Sequence, residues 1–597
     1  RNYGESFINP LYEATLGNFN KSNYKEWTDN LALNWYVNDY LLVKGQFAIS
    51  YKLDKTKVFT DPESAKYGDG VTAFLRGELT EASTTTTRWN TNVFAAYNRL
   101  FGLHNLNFSL GFNATYSNIS YSYAHYRGFP DAHRHSPAYA YEIVTKPTFT
   151  DNKTRLFGVF LMMNYSYNDI YLADFSFRYD GSSEFGTDNK WAPFWSVGAG
   201  INVHNYDFLK GNEWINQFRI KGNVGQTGKS NFQPYMARNT YEVLLDDWYQ
   251  TGIGASLIYM GNEDLTWEKQ LSWNVGTDLI TWNNRVTLGF DYYYKKTIDL
   301  VTEVSLPTSS GFTKYTDNMG EILNEGVELD LNVRAYSNKD WEVIVFGNLA
   351  HNKNKILKIS ESLKQYNERI DEYFQDYYST SGRPSEDSKY AKPFMKYEEG
   401  SSLTAIYGMK SMGINPANGQ EVYVKRDGTL TYTWESNEQQ KIGDTEPKIQ
   451  GAFGLNVRYR NFTLYTTFLY EYGGDEYNST LVNNVENANL IKYNADKRVS
   501  SDRWQNVGDV VPLKDIKDRL YVTRATSRFV QKNNNVVFNS LSVGYDVDPI
   551  WLRKIHLSSL RLQFNMKDIA TMSTIKREMG LNYPFARTFT FTLNASF

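Results

Sequence analysis

The sequence predicts an all-β protein that forms a transmembrane antiparallel β-barrel. Three observations predict this fold: apolar residues recur at every second position, short polar turns alternate with long irregular connections, and no apolar run approaches the length of a spanning helix. The chain has 597 residues, of which 16% are aromatic, and its mean hydropathy of -0.55 is too polar for a helical membrane protein. Its longest apolar runs, such as Val159–Met163, fall far short of the roughly 18–20 residues that a spanning helix needs.

The predicted strands carry one apolar face and one polar face. Over 271–279 the odd positions are mostly apolar, and after the turn Asn283-Asn284 the alternation resumes over 286–294. Successive strand residues point to opposite faces, so this pattern separates the faces cleanly. The same alternation recurs in three further segments, 175–180, 462–470 and 589–597. Two architectures accept such strands, a soluble sandwich and a membrane barrel with its apolar face outward.

The connections between strands favour the barrel. Short polar turns are predicted at Asn38-Asp39, Asn168-Asp169, Asn283-Asn284 and Arg460-Asn461. Long irregular connections are predicted near 53–83, 129–152, 227–264, 354–402 and 475–530. Antiparallel strands joined in series return to the same side at every second connection, so the short turns share one end and the long loops the other. Short periplasmic turns and long extracellular loops are typical of outer-membrane barrels.

Composition and motifs exclude several classes of function. Lys+Arg 63 against Asp+Glu 66 gives a net charge of -3, which provides no electrostatic basis for binding nucleic acid. The absence of cysteine excludes a disulfide scaffold, a Cys-ligated metal and a thiol nucleophile. No GxSxG, HExxH or P-loop motif occurs, and the adjacent carboxylates Asp246-Asp247 cannot by themselves set the separation that glycosidases need. We therefore expect neither enzymatic activity nor a cofactor.

One loop contains residues that could bind a metal ion. Asp131, His133 and His135, with His125 nearby, offer the carboxylate and imidazole ligands that zinc accepts. Pro130 and Pro137 bracket this stretch as they would an ordinary loop. We expect an ordinary loop here and no metal site.

The alternating segments number about 17, from near Trp27 to Phe597, whereas single-chain bacterial barrels have an even number of strands. The chain also opens on Arg1-Asn2-Tyr3-Gly4, which has the composition of a loop. We expect residues 1–597 to be one β-barrel domain that is incomplete at its amino terminus and leaves a gap in the barrel wall. One miscounted strand is the alternative.

Several segments resemble motifs of one protein family. Arg178–Gly186 resembles an RxDGSSxFG strand end, and Asn318–Leu329 is similar to an NxGxxxNxGxEL strand. Leu265–Lys269 followed by Asp291-Tyr292-Tyr293, and the closing stretch from Tyr583-Pro584 to Phe597, match in the same order, while Lys567–Thr571 replaces a usual asparagine–leucine pair. The chain thereby resembles the SusC/RagA-type TonB-dependent outer-membrane transporters of Bacteroidota. The positions that carry the two main motifs are Arg178, Asp180, Gly181, Ser182, Asn318, Gly320, Asn324, Gly326 and Glu328.

The resemblance implies a barrel of 22 strands with a plugged lumen in the outer membrane of a Gram-negative cell, the plug itself lying outside this chain. It implies a SusD-like surface lipoprotein as partner, and the TonB–ExbB–ExbD system as energy source through an amino-terminal part. Family solutes are usually oligosaccharides, with oligopeptides as a minority. The expected function is active import of oligosaccharides across the outer membrane. The alternatives are an oligopeptide importer, a barrel that anchors an assembly or adhesion protein, and a passive porin.

Two groups of residues are candidate functional positions. Arg178, Asp180 and Glu328 are expected to face the lumen or the plug, although they would also serve simply to keep that face polar. The loop aromatics are expected to contact solute or a lipoprotein lid, because rings stack on sugar faces and anchor protein partners. These aromatics are Tyr235, Trp248, Tyr249, Tyr377 and Tyr378. The alternative is that the long loops pack on one another.

Overall fold

The computed structural model describes residues 9–68, 70–186, 188–230, 234–305, 314–318, 320–359, 363–372, 393–488, 496–517, 522–552, 556–576 and 586–596. Helices are few and short in this part of the chain. They are α1 (Pro10–Glu13), α2 (363–372), α3 (Ser479–Leu481), α4 (Arg498–Ser501) and α5 (Pro549–Leu552). Among the described residues no helix has the length and apolar character needed to cross a membrane.

Strands dominate the fold. The described residues form β1 (Phe19–Asn38), β2 (Leu41–Thr60), β3 (Glu78–Phe101), β4 (His104–Arg127), β5 (Glu142–Tyr167), β6 (Tyr171–Ser182), β7 (Trp191–Asn202), β8 (Ile215–Lys229), β9 (Thr240–Tyr249), β10 (Gly252–Tyr259), β11 (Glu268–Thr281), β12 (Val286–Ile298), β13 (Val301–Ser305), β14 (Lys314–Asn318), β15 (Glu321–Ser337), β16 (Trp341–Lys358), β17 (Ala405–Gly408), β18 (Lys410–Ile414), β19 (Glu421–Val424), β20 (Leu430–Thr431), β21 (Gln440–Asp444), β22 (Ile449–Tyr459), β23 (Phe462–Tyr477), β24 (Val530–Asp546), β25 (Ser559–Ser573) and β26 (Phe589–Ser596).

Seventeen of these strands, counted over the described residues, make up the large antiparallel sheet, which confirms the predicted all-β class and the expected strand number. The remaining strands form four small sheets within long connections: β9 with β10, β13 with β14, β17 with β21, and β18 with β19 and β20. These small sheets were not predicted, because most of their strands have only two to five residues, too few to show a period.

The chain divides into two compact units, described separately below. The first comprises Arg1–Tyr165, Asp174–Trp195 and Ser230–Trp267. In it β1, β2, β3 and β4 pair consecutively and antiparallel, and the β2–β3 register runs without a shift from Leu41 opposite Tyr97 to Thr60 opposite Glu78. The connections at 39–40 and 102–103 share one end, and those at 61–77 and 128–141 share the other.

The second unit comprises Ser166–Ala173, Ser196–Lys229 and Glu268–Phe597. Its antiparallel pairs follow the order β8, β11, β12, β15, β16, β22, β23, β24, β25 and β26. From β11 onward, short connections at 282–285, 338–340, 460–461 and 547–558 share one end, and longer ones at 299–320, 359–448, 478–529 and 574–588 share the other. The predicted alternation of short and long connections is therefore confirmed within each unit.

Two of the predicted loops are shorter than expected, because the neighbouring strands extend further. The stretch predicted as a loop over 53–83 narrows to 61–77, and the one over 129–152 narrows to 128–141. β3 and β4 have 24 residues each, against about 9–11 for a membrane-spanning strand. The stretch of β3 near the threonine run 84–87 is polar on both faces, so it lacks the alternation that reveals a strand. Threonine nevertheless favours extended backbone.

The segment that departs from the family pattern, Lys567–Thr571, lies within β25. The register of β25 against β24 shifts there, between Phe538 and Ser540, and Asp568 has a φ of +50°. The departure therefore coincides with a bulge in the sheet, where one strand carries extra residues and the ladder is interrupted.

The buried apolar clusters lie at the loop ends of the strands and in the connections. In the second unit, one cluster consists of Val482, Val485, Val499, Leu513 and Phe529, and another of Met409, Tyr423 and Trp434. In the first unit, Phe185, Ala192, Phe194 and Trp267 form one cluster and Phe59, Leu79 and Phe129 another. The long connections are thus folded structures with cores of their own.

Candidate functional site

The first family motif forms a clamp on the polar face of β6. The Arg178 guanidinium donates to both carboxylate oxygens of Asp180, at 3.1 and 2.8 Å, and to Oδ1 of Asn113 on β4 at 2.9 Å. The guanidinium also lies 5.8 Å from the ring centre of Phe160 on β5. A two-pronged pair of this kind fixes orientation as well as charge. Arg178 and Asp180 therefore form a contact that joins β6 to β4 across β5, and their expected place beside the lumen or plug stays a prediction.

The end of the same motif packs against two tryptophans of the first unit, Trp191 and Trp267. Gly181 lies under the ring of Trp191, and a Cβ there would come within 2.6 Å of that ring, so only glycine fits. Ser182 accepts the backbone N–H of Glu184 at 3.2 Å. The side chain of Phe185 is buried against Trp267, whose Nε1 donates to the carbonyl of Lys190 at 3.3 Å. The motifs 178–186 and 265–269, read separately in the sequence, meet here.

The second family motif runs into β15 in the second unit. Asn318 donates its side-chain N–H to the carbonyl of Asp299 at 2.8 Å, while Met319 lies outside the described residues. Gly320 precedes β15, and Glu328 within it pairs in register with Asp291 of β12. Gly326 has no room for a side chain, because a Cβ there would come within 2.6 Å of the Tyr293 hydroxyl. The glycine lets the Tyr293 side chain of β12 lie against the backbone of β15.

Asn324 of this motif begins a hydrogen-bond network that reaches the longest connection. Its Oδ1 accepts from Nδ2 of Asn354 on β16 at 2.8 Å. The Oδ1 of Asn354 accepts the backbone N–H of Leu403 at 2.9 Å, and the backbone N–H of Asn354 donates to Glu446 at 3.1 Å. Asn352 donates to the same carboxylate of Glu446. The connection 359–448 is thereby held to β16 at Leu403 and near its end at Glu446, and through Asn354 to the motif on β15.

We name the described residues of 393–448 and 478–529 the loop body. Its two segments join through backbone bonds: the N–H of Met409 donates to Ala525 at 3.1 Å, and the N–H of Ser527 donates to Met409 at 3.0 Å. The indole Nε1 of Trp434 donates to the same Ala525 carbonyl at 3.0 Å. These two long connections therefore pack on each other within the second unit.

A buried ion cluster lies between the two segments of the loop body. Arg528 donates to Glu421 at 2.8 Å and to Glu486 at 2.6 Å, and the Thr526 hydroxyl donates to Glu421 at 2.7 Å. All three charged side chains are at least nine-tenths buried. Burial raises the pKa of the Glu421 carboxyl, but the charge and hydrogen bonds of Arg528 outweigh it, so this pKa lies below its ordinary value.

Burial lowers the pKa of Arg528, but the two carboxylates outweigh it and raise that pKa above its ordinary value. Arg528 and Glu421 therefore stay ionised at neutral pH. Sequence reasoning missed it because Glu421, Glu486 and Arg528 stand far apart in polar surroundings. No local pattern distinguishes them from surface charges.

The loop aromatics predicted to contact solute or lid have different outcomes. Tyr235 has a φ of +72°, and its hydroxyl accepts the backbone N–H of Lys153 at 3.1 Å, so its ring end is held against β5. Trp248 and Tyr249 pair with Ile253 and Gly252 at the tip of the β9–β10 hairpin, and their side chains are outside the described part. Tyr377 and Tyr378 also lie outside the described residues.

The residues considered for metal binding are engaged elsewhere. The Asp131 carboxylate accepts the backbone N–H groups of His133 and Arg134, at 2.8 and 3.0 Å, and pairs with the Arg134 guanidinium. These bonds, that of His133 first, lower the pKa of Asp131. The ring of His135 packs 5.1 Å from that of Phe19. In the part of the chain that the structure describes, no three His, Cys, Asp or Glu side chains are placed to hold a metal ion.

Comparisons with known proteins agree with these motifs. Residues 2–567 match the family described as TonB dependent receptor-like, beta-barrel. The chain is 28% identical to TonB-dependent receptor P3 of Formosa agariphila, over all of this chain and 60% of that protein. It is 32% identical to TonB-dependent receptor SusC of Bacteroides thetaiotaomicron over 35% of this chain and 21% of that protein.

The fold matches that of the RagAB peptide transporter with a TM-score of 0.81, at 20% identity, over 97% of this chain and 61% of the other. The chain spans about 60% of the length of P3. The match to the family covers nearly the whole chain, and the motif residues lie where they build strand ends and loop anchors. The chain therefore belongs to the TonB-dependent receptor-like β-barrel family of the outer membrane, and within that family it resembles the SusC/RagA type.

Proposed function

We propose that this chain is the wall of an active importer of oligosaccharides across the outer membrane, without enzymatic chemistry. In this proposal a SusD-like surface lipoprotein delivers the solute, and the TonB–ExbB–ExbD system supplies energy through an amino-terminal plug-bearing part. The observation that carries the proposal is the folded loop body. Because its shape is fixed by Arg528, Glu421 and Glu486 before any partner binds, little ordering entropy opposes docking.

The surface of the loop body supports a lipoprotein partner. Val507 and Val510 are 78% and 86% exposed, and Met412 and Leu430 are also exposed. The segment that carries Val507 and Val510 is held in place, since the N–H of Gly508 donates to the carbonyl of Pro416 at 2.8 Å. Apolar side chains held out to solvent on a folded surface are typical of a site that a partner covers. We assign this surface to the lipoprotein.

The polar sheet face of β22–β25 supports the proposal that the solute is polar. A cavity of about 520 Å³ there is lined by amide and hydroxyl side chains, among them Asn456, Gln563 and Asn565. Such groups offer the donors and acceptors that match sugar hydroxyls. Arg561 and Lys567 line the same cavity, and two cations would also suit the carboxylates of an oligopeptide. The oligopeptide importer is therefore the second candidate.

Uptake by whole cells tests the proposal. The gene is deleted in frame, and accumulation of labelled oligosaccharides and oligopeptides is measured in deleted and complemented cells, with and without a working TonB system. We expect accumulation of one solute class to require both the gene and TonB. Accumulation that needs the gene but not TonB would establish a passive porin instead. Unchanged accumulation of every solute would leave the barrel as an assembly or adhesion anchor.

A further inference from the structure

A groove on the apolar side of the first unit combines aromatic rings with cationic side chains. It has a volume of about 470 Å³, and we name it the basic groove after Arg155, Lys190 and Arg238, which line it together with Trp89, Phe157 and Trp191. Phe157 stacks on Phe112 of β4 with ring centres 5.9 Å apart, and Arg155 lies over Tyr116 of the same strand. Arg155 and Phe157 therefore share the apolar face of β5, opposite the face of the Arg178 clamp.

The rings of the basic groove belong to two groups of stacked aromatic side chains on this face. Trp191 stacks on Tyr179 at 5.3 Å and meets Phe157 edge-on at 6.3 Å, while Trp89 stacks on Tyr116 at 5.8 Å. Trp191 is 47% and Phe157 40% exposed, although both are large and apolar. In an outer-membrane barrel such rings on the apolar face mark the boundary between hydrocarbon and headgroups. The groove lies at that boundary, near the loop ends of the strands.

In the part of the chain that the structure describes, the three cations of the groove have no acidic counterpart. Within the described residues no carboxylate pairs with Arg155, Lys190 or Arg238, and none of the residues that line the cavity is acidic. Neighbouring cations differ, since Lys153 pairs with Asp151 and Arg178 with Asp180. Three unneutralised charges facing a low-dielectric boundary are costly unless an anion accompanies them.

We propose that the basic groove binds the phosphate-bearing headgroup of a membrane lipid. The Arg155 guanidinium can hold two phosphate oxygens at once, and Lys190 and Arg238 neutralise the remaining charge. The acyl chains then run along Phe157 and Trp191 on the apolar face. Basic pockets at a membrane surface recognise anionic headgroups in this way. The source of the phosphate is either a lipid A-type glycolipid or an anionic phospholipid. This site is independent of the proposed transport function.

Native mass spectrometry of the full-length protein in a neutral detergent tests the proposal. The protein is equilibrated with lipid A, with dioleoylphosphatidylglycerol, or with monogalactosyl diacylglycerol, which has no phosphate. We expect the phosphate-bearing lipids to be retained and the galactolipid lost. The variant R155Q/K190Q/R238Q should retain about tenfold less phosphate lipid, which corresponds to about 1.4 kcal/mol.

The matched control is K25Q/K210Q/K339Q, which removes the same charge from three exposed lysines outside the groove and should retain phosphate lipid like the parent. Equal loss in both variants, or equal retention of the galactolipid, would overturn the proposal. Retention of lipid A alone or of phosphatidylglycerol alone would identify the source. If the triple variant fails to migrate as a folded barrel, R238Q, which lies outside the strands, replaces it. A parent whose retention is insensitive to ionic strength would also overturn the proposal.

Discussion

The rings of Phe185 and Trp267 stack with their centres 4.5 Å apart, and both are almost fully buried. Phe194 meets the same indole edge-on at 5.4 Å. One ring comes from the connection after β6 and the other from the residue before β11, so the stack joins two segments that are distant in the sequence. It gives a physical reason for the phenylalanine and the tryptophan in the two motifs: each fills the space beside the other.

Replacing Trp267 by Ala should destabilise the first unit. Removing a buried aromatic side chain costs about 3–5 kcal/mol, because apolar contact is lost and a cavity remains. We expect the variant to unfold at a lower guanidinium concentration than the parent, measured by the shift from folded to unfolded migration on unheated gels. Trp191→Ala is the control, since that ring is half-exposed and should cost much less. Equal midpoints for all three proteins would contradict a structural role for the stack.

The ion cluster of the loop body should make that body sensitive to acid. The pKa of Glu421 lies below its ordinary value of 4.5, so the charged form stabilises the fold. That stabilisation is fully present above pH 4.5 and is lost as the pH falls through the lower pKa of the folded state. We expect amide hydrogen exchange in β18–β21, corrected for intrinsic rates, to be unchanged between pH 7 and 5 and to accelerate below about 4.5.

Glu421→Gln should accelerate the same exchange already at neutral pH. Breaking a buried ion pair by removing one partner typically costs about 3–5 kcal/mol, because a buried charge loses its counterion. In this variant only Glu486 remains to pair with the buried Arg528. Glu372→Gln in α2 removes an equal charge at an exposed position and serves as the control. Exchange that responds equally to both substitutions would show that overall charge, and not this cluster, governs the loop body.

Asn354→Ala should loosen the long connection without affecting barrel assembly. The side chain accepts from Leu403 and donates to Asn324, and each such bond contributes about 0.5–1.5 kcal/mol. We expect faster proteolysis within 393–408 and an unchanged amount of folded protein in the outer membrane. Asn332→Ala, on the same face as Asn324 and exposed, is the control. Unaltered proteolysis would mean that Glu446 alone holds the connection.

The fold was predictable where lipid imposes a pattern. In β12 the apolar residues at alternate positions predicted the strand, and Asn283-Asn284 predicted the short turn that follows Thr281. The outer half of β3 was not predictable, because water on both sides removes the alternation. The cores of the loops were not predictable either, since their contacts join residues about a hundred positions apart, such as Glu421 and Arg528.

The contacts of the candidate site residues were likewise predictable only where they are local. Arg178 and Asp180 were identified from their motif, and their ion pair is a local contact two residues apart. Tyr235 was identified as a loop aromatic, but its hydroxyl is engaged with the backbone of β5, a long-range contact that composition does not reveal. The motifs therefore pointed to positions whose side chains fasten the structure. The proposed contacts with solute or partner lie on residues outside those motifs.

Val507→Asp with Val510→Asp should weaken binding of the lipoprotein. Each substitution places a charge on a surface that a partner would bury, and an unpaired buried charge opposes association strongly. We expect affinity to fall at least about tenfold, measured by copurification and by titration with the purified lipoprotein. Asp509 already lies between the two positions, and Lys517→Asp at an exposed position nearby is the control. Unchanged affinity would remove this surface from the docking site.

Replacing Trp248 and Tyr249 together by Ala tests the β9–β10 hairpin as a contact for solute or lipoprotein. Both residues lie at its tip. The exposed side chains of Tyr241 and Val243 lie on the same strand, so the hairpin carries much apolar surface. Each large side chain is worth about 1–3 kcal/mol if it anchors a partner. Affinity for one of the two partners should then fall tenfold or more, at about 1.4 kcal/mol per decade.

The measurement is binding of solute and of lipoprotein to the purified double variant, beside a check of folded migration on unheated gels. Tyr241→Ala with Val243→Ala is the matched control, because it removes similar apolar surface from the same strand away from the tip. A loss confined to the tip variant assigns the contact, and the partner whose affinity falls identifies it. Equal affinities for both partners would exclude the tip. Loss of folding in the tip variant would instead show that these rings pack within the loop, as in compact loops that bury their own side chains.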